Sequence, residues 1–327
     1  MADHEAHRGR LNYMADEVKA SLYRNGKVLT RRDPDGSDSP IEGLIVEKAD
    51  VHVQNARLAA DAGMCTVLKN GFELIASPMP EPTPDFLAHA AVIRDYYPDC
   101  ERIVRKATGA SLVRAFDHNV RSAAGKKDKT RIKGGQQVQG PAHMVHGDYT
   151  LTSAPQRLRD LTQPPGENDT LRAVLGDSES LLDPDQIEQV LSGGHFAIIN
   201  VWRNIAAEPV QTHPLALCDG QSVAPQDLVV FEIHYQDRVG ENYFARISPE
   251  HRWFYFPQLT RDEALLIKQW DSRGTLAKSA GNAADSSDPD APCTFSFHTA
   301  FRDPDTPEDA PSRWSIEVRC VAVFEGM

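Results

Sequence analysis

Positive charge is in short supply in this chain. Lys and Arg number 35 against 47 Asp and Glu, a formal net charge of −12. That balance argues against duplex DNA or an anionic membrane as partner, because both need a cationic face. Long apolar runs are missing as well: none reaches the roughly 18 residues of a spanning helix. The opening MADHEAHRGR has no apolar stretch, so no secretory signal is expected. Cysteine is scarce. Cys65, Cys100, Cys218, Cys293 and Cys320 form an odd set with no Cys-x-x-Cys pair. Such a set fits reduced thiols in the cytoplasm better than a disulfide framework. There is no repeat of solenoid period. No Walker pattern occurs, GGQQVQG is not G-x-G-x-x-G, and G-x-S-x-G is absent. These absences weaken nucleotide-binding and serine-hydrolase readings.

What is present suits a folded protein. At 327 residues, 40% hydrophobic and 25% charged, the chain can bury about three quarters of its unfolded surface. Residues 1–40 are polar and end in RRDPDGSDSP, a turn-rich surface segment. A strand is expected at Gly71–Ser77, then a helix capped by Thr83 with Pro84 in its first turn, carrying Phe86, Leu87, Ala90, Ile93 and Tyr97 at helical spacing. Arg114–His118 reads as extended. The basic run 121–140, RSAAGKKDKTRIKGGQQVQG, reads as a solvated mobile loop, with a lid over an anionic substrate as the sharper alternative. From residue 143 the pattern is β-rich, with strands expected at His143–Leu151, His195–Ile205, Leu228–Tyr235, Trp253–Pro257, Thr294–Phe301 and Arg313–Phe324. Helices are expected at Pro184–Leu191 and Arg261–Trp270, and Ser279–Pro292 reads as a loop. The class is mainly β with peripheral helices, an antiparallel sandwich or barrel.

Three strands carry the chemistry. On PAHMVHGDYT, His146 and Asp148 at i and i+2 share a face. Taken alone, H-x-D is weak, and a satisfied polar surface explains it as well. On CTFSFHTAFRDP, Phe295, Phe297 and Phe301 alternate with Thr294, Ser296, His298 and Ala300, so His298 stands among small neighbours. On SRWSIEVRCVAVF, Arg313, Ser315, Glu317 and Arg319 alternate with Trp314, Ile316, Val318 and Cys320. Arg313 and Ser315 then project together, a guanidinium fork and a hydroxyl suited to a carboxylate. The plain alternative is pairing of Arg313, Glu317 and Arg319 along a solvated face. Arg319 lies farther along and is expected to stay outside any clamp.

Together the signals are stronger. Two His and one carboxylate leave open positions on a metal, the facial triad of non-haem Fe(II) oxygenases. An Arg-x-Ser fifteen residues beyond His298 would hold the distal carboxylate of 2-oxoglutarate. His213 is a rival distal ligand without a following Arg-x-Ser. His234 shares a face with Glu232 on a strand read as a sheet edge or outer layer, and His143 falls on the face opposite His146. A zinc hydrolase would use the same three ligands; the Arg-x-Ser separates the two.

The chain resembles the Fe(II)/2-oxoglutarate-dependent dioxygenases. More narrowly it is similar to the group of gibberellin GA4 desaturases, AsaB-type hydroxylase/desaturases and CmcJ-like proteins. FDHNVR (116–121), VHGDYT (145–150), NVWRNI (200–205), PLALCD (214–219), HRWFYFP (251–257), DEALLIKQWDS (262–272), FHTAFRDP (297–304) and RWSIEVR (313–319) carry the match. The group typically has Val-Trp-Arg-Pro where this chain has Val-Trp-Arg-Asn, so substrate identity does not transfer. The resemblance implies a double-stranded β-helix (jelly-roll) core at 111–327, with residues 1–110 as an α/β extension packed on it in one structural unit. It implies Fe(II) on His146, Asp148 and His298, 2-oxoglutarate on Arg313 and Ser315, and O2 as oxidant. The products would be succinate, CO2 and a hydroxylated, desaturated or ring-closed metabolite of secondary metabolism. Arg203 is expected either to pair with a substrate carboxylate or to serve a structural ion pair. Tyr149 is expected to point away from the metal face, for packing or a supporting hydrogen bond. A homodimer is compatible with the sequence. The rival from another class is a non-catalytic accessory protein on the same fold, which would give no visible band with Fe(II) and 2-oxoglutarate.

Overall fold

The computed structural model describes residues 7–32, 39–61, 65–166, 169–236, 238–278 and 291–325. Most of the Ser279–Pro292 loop and of RRDPDGSDSP lies outside them. The described strands are β1 (His7–Met14), β2 (Leu29–Arg31), β3 (Val46–Asn55), β4 (Phe72–Ala76), β5 (Leu112–Arg121), β6 (His146–Gly147) and β7 (His195–Asn204), followed by β8 (Leu215–Cys218), β9 (Leu228–His234), β10 (Val239–Ala245), β11 (Trp253–Tyr255), β12 (Glu263–Asp271), β13 (His298–Ala300) and β14 (Ser315–Phe324). Helices are α1 (Ala56–Asp61), α2 (His89–Ala91), α3 (Tyr97–Thr108), α4 (Ala123–Lys127), α5 (Ser153–Asp160) and α6 (Pro184–Leu191).

Two sheets form the molecule. One has nine strands in the order β1-β3-β11-β8-β13-β6-β10-β9-β2; the other has five, β4-β12-β7-β14-β5. Almost all pairs are antiparallel, and strands from the first hundred residues extend both sheets: β1 and β3 one, β4 the other. Two facing sheets crossed repeatedly by the chain are a jelly-roll. The last described strand, β14, sits at the interior of the five-stranded sheet between β7 and β5. Every residue of β7 is buried, which is why HFAIINVWRN shows so little polar alternation. Between the sheets Phe295, Phe297, Trp270 and Tyr243 stack or meet edge to face.

The helices close the outside. α3 buries Tyr97, Cys100, Ile103 and Val104 along one stripe, each worth roughly 1.5–3 kcal/mol when fully covered, less for Cys100. Pro98 sits in its first turn and Gly109, at φ 72, ends it. α6 runs over the residues expected, with the Asp183 side chain accepting from Gln186 N.

Several expectations need correction. Arg261–Trp270 is not a helix: Glu263–Asp271 is β12, paired on both sides by β4 and β7. The helix expected from Thr83 starts at His89, because the Asp85 carboxylate turns the chain at Leu87 N and Ala88 bridges to Lys133. It continues through a wider π-type turn, Val92–Tyr96, into α3. Residues 7–14, expected to be surface turns, form β1, with Leu11, Tyr13 and Met14 buried. The strand expected at His143–Leu151 is reduced to His146–Gly147 with a single bridge from Met144 to Asn12, and that at Thr294–Phe301 to His298–Ala300. The basic run 121–140 holds α4 and bridges at Arg131–Gln137 and Arg121–Gln139. β9, with His234, is not the edge, since β2 lies outside it.

Candidate active site

Sheet register brings the site together. His146 on β6 stands directly opposite His298 on β13, and their rings lie 4.3 Å apart. Asp148 follows just past the end of β6. One donor atom from each of the three lies within 4.8 Å of the others, and His146 Nε2 is 3.6 Å from Asp148 Oδ1. His146 Nδ1 is 2.8 Å from the Met144 carbonyl. A carbonyl can only accept, so Nδ1 carries the proton and Nε2 is free to ligate.

Asp148 is held on one oxygen. Its Oδ2 accepts from Asn200 Nδ2 (3.0 Å) and from Arg319 Nε (3.2 Å), while Gln269 Oε1 accepts from its backbone N–H (3.1 Å). Oδ1 is left facing His146. Burial opposes the charge of Asp148, but Arg319 and the two histidines hold it well below the usual carboxylate range. Burial pushes His146 down to about 4, with His298 adding to the effect and Asp148 opposing it. It also lowers His298, against the pull of Asp148. The three groups therefore present two neutral imidazoles and a carboxylate, a donor set that fits a divalent iron and leaves coordination positions open.

The group opens on a cleft lined by Arg121, His146, Trp202, His298, Arg313 and Glu317, among others. Arg313 precedes β14 and is 3% exposed. Its Nη1 donates to the His213 carbonyl, and its guanidinium lies 5.5 Å from the Trp202 ring. Among the described residues Nε and Nη2 have no partner. Buried donors are almost always satisfied, so these fit an incoming acceptor. Glu317 is raised by burial and by Asp148, against Arg319 and Arg121.

Other expected residues fall as follows. Ser315 is buried, with Oγ 3.5 Å from the Arg121 carbonyl, and does not line the cleft. Arg203 is fully buried. Its guanidinium donates to Tyr96 Oη, to Ser77 O and Oγ, and to Arg261 O. The structure thus does not bring Arg203 to the cleft: it spends this side chain on holding β7 to the N-terminal segment. Tyr149 is buried in the core. His213, at φ 50, packs its ring on His143 at 5.0 Å and lies outside the three-residue group. His143 meets the Ala300 carbonyl (3.0 Å). His234 pairs with Glu232 (3.0 Å), which also accepts from the Asn25 and Gly26 amides.

Three site residues were missed from the sequence: Arg121, Glu317 and Arg319. Arg319 donates to Asp117 (2.7 Å) and Asp148 and meets Glu317 at 3.4 Å. A signal existed. In β5 Asp117, Asn119 and Arg121 alternate with buried Phe116, His118 and Val120, which marks a polar face lying over the same face of β14.

Fold and site together fit one class, the jelly-roll oxygenases, with two histidines and a carboxylate that could hold a metal. A family model described as an oxidoreductase/YMDC permease-like domain matches residues 11–324. The Fe(II)/2-oxoglutarate-dependent dioxygenase nvfI of Aspergillus novofumigatus is 31% identical over 239 residues, 72% of this chain and 69% of that protein. A protein of Methylophilus leisingeri, described as an uncharacterized protein in the dcmA 3′ region, is 43% identical over 196 residues, 60% of this chain and 89% of that one. A solved structure of the iron and alpha-ketoglutarate-dependent endoperoxidase NvfI shares the fold with TM-score 0.70 at 23% identity, covering 99% of both chains. The chain belongs to the Fe(II)/2-oxoglutarate-dependent dioxygenases and to the family that this model describes. Its chemistry uses Fe(II), 2-oxoglutarate and O2.

Proposed function

We propose that His146, Asp148 and His298 hold the iron, and that Arg313, two residues before the buried Ser315, binds the distal carboxylate of 2-oxoglutarate. The observation that carries this reading is the convergence of the three donor groups within 4.8 Å on a cleft whose wall offers a buried guanidinium with two unpartnered nitrogens. Bound iron and 2-oxoglutarate supply the activation of O2 and the oxidation of an unactivated C–H bond. The chain does the rest. The Met144 carbonyl orients His146, and Asn200 with Arg319 fixes Asp148 on one oxygen. Trp202 and Leu215 give the cleft an apolar wall that limits water. The substrate is a small metabolite, and the outcome is hydroxylation, desaturation or ring closure according to how that molecule is seated. The five described cysteines are free and buried, in keeping with a reducing, cytoplasmic setting.

The test is binding before turnover. Anaerobic Fe(II) with 2-oxoglutarate gives a visible charge-transfer band in the parent. His146→Ala, Asp148→Ala and His298→Ala each lose the band and the bound iron, with the circular dichroism spectrum retained. His213→Ala keeps both. Full iron binding in any of the first three variants removes that residue from the metal centre. No band in the parent at saturating iron favours the accessory role. Succinate release across a panel of small acids and terpenoid-like compounds then finds the substrate.

A further inference from the structure

Two guanidiniums face the cleft, and the reading above uses one. Arg121 ends β5, where it stands directly opposite Ser315 of β14. Directly opposed residues share a face of the sheet, here the one that carries Glu317 and Arg319. Arg121 lines the cleft beside His146, His298 and Arg313. Among the described residues its side chain makes one hydrogen bond, from Nη1 to the Gly140 carbonyl (3.0 Å). Among the described residues neither Arg121 nor Arg313 has a carboxylate within ion-pair distance; Glu317, the acid in the lining, is engaged by Arg319.

Two neighbouring cations without a carboxylate at ion-pair distance are costly. Burial and then the charge of Arg121 push Arg313 below its usual range, against Glu317, and burial does the same to Arg121, against Glu317 and Asp148. Such an arrangement stands at a price that an incoming anion removes. The two arginines are also differently held. Arg313 donates to the His213 carbonyl and lies against the Trp202 ring, whereas Arg121 donates to the Gly140 carbonyl. Two cations lining one cleft match a short molecule with two carboxylates.

We propose that Arg121 binds a carboxylate of 2-oxoglutarate directly, so that two arginines from adjacent strands hold the co-substrate. This rests on the reading of the cleft as the 2-oxoglutarate site. It assigns Arg121 a role at the position across from Ser315, whose own hydroxyl stays out of the cleft lining.

The experiment is a binding measurement on anaerobic Fe(II)-loaded protein. 2-Oxoglutarate is titrated by its charge-transfer band and, on Mn(II)-loaded protein, by calorimetry. Arg121→Gln raises the Kd for 2-oxoglutarate at least tenfold, as expected for loss of a charge-assisted hydrogen bond. Arg121→Lys recovers part of the loss, and neither variant weakens iron binding. Without 2-oxoglutarate, Arg121→Gln melts no lower than the parent, since it removes one of two neighbouring positive charges with no carboxylate at ion-pair distance; a structural role would lower the melting temperature. An unchanged Kd in Arg121→Gln overturns the proposal. If Arg313→Gln still weakens 2-oxoglutarate in that case, the cleft reading stands and only Arg121 drops out. If neither variant changes the Kd, the cleft reading falls with it.

Discussion

Arg319 sits among three acids, Asp148, Asp117 and Glu317. Burial opposes its charge, yet these carboxylates keep it charged well above the ordinary range. Its removal strips Asp148 of an orienting donor and takes the guanidinium from Asp117 and Glu317. Groups behind a metal ligand typically matter about 10–100-fold in metal affinity. Arg319→Met is expected to lose Fe(II) affinity by that order and to lower the melting temperature, and Arg319→Lys to recover part of both. Anaerobic iron titration checks it; unchanged iron affinity would mean that Asp148 does not need its partner. The sequence placed Arg319 outside the clamp by counting along one strand. Its real neighbours are set by register, for it stands opposite Asn200 on β7, and Asn200 also reaches Asp148. No spacing within RWSIEVR announces that approach. The H-x-D, the later His and the Arg-x-Ser were legible because each is a local pattern on a strand with a strong period.

β12 shows where local reading fails. EALLIKQWD is rich in strong helix formers, and propensity alone favours a helix. Pairing on two sides overrides it. The polar residues in this strand are interior and satisfied. Lys268 is fully buried and donates to the Leu68 and Cys293 carbonyls and to Asp271 (2.9 Å), and Asp271 also meets His195 (2.8 Å). Gln269 reaches the Asp148 backbone. Lys268→Met leaves Asp271 with an uncompensated buried charge, so the cost is expected near 3–5 kcal/mol, read by urea unfolding. A double variant, Lys268→Met with Asp271→Leu, should recover part of that loss; no recovery would mean that Lys268 acts through packing alone. The turn after β12 is equally constrained. A Cβ on Gly274 would meet Thr294 Oγ1 at 2.3 Å and its Cα at 2.5 Å. Gly274→Ala is therefore expected to lower the melting temperature; an unaltered melt would show that the Thr294 segment can move aside.

Across the whole molecule, buried neutral histidines set the response to acid. Burial pushes His118 down to about 4, with Asp117 opposing and His89 and Arg319 adding; its Nδ1 meets Tyr97 Oη at 2.9 Å. The unfolded chain binds that proton from about pH 6.5 downward and the folded chain does not, so stability falls as pH drops from 6.5 toward 4. One such histidine costs about 2 kcal/mol at pH 5. His118→Phe is expected to flatten the decline in urea midpoints between pH 7 and 5, and an equally steep decline would assign the acid sensitivity elsewhere. The two-sheet class was legible from strand count and turn spacing. The strand order was not, because it depends on pairings such as β4 with β12 and β5 with β14 that join distant parts of the chain. Those pairings also order events in time. Contacts so far apart in sequence form slowly, and synthesis delivers the chain from its N-terminus. The strand that brings Ser315, Glu317 and Arg319, with Arg313 at its head, is translated last among the described strands and must insert between β7 and β5, which have been waiting for it. A ribosome-bound chain thus carries His146 and Asp148 well before Arg313, and the place between β7 and β5 is filled only when that last described strand arrives.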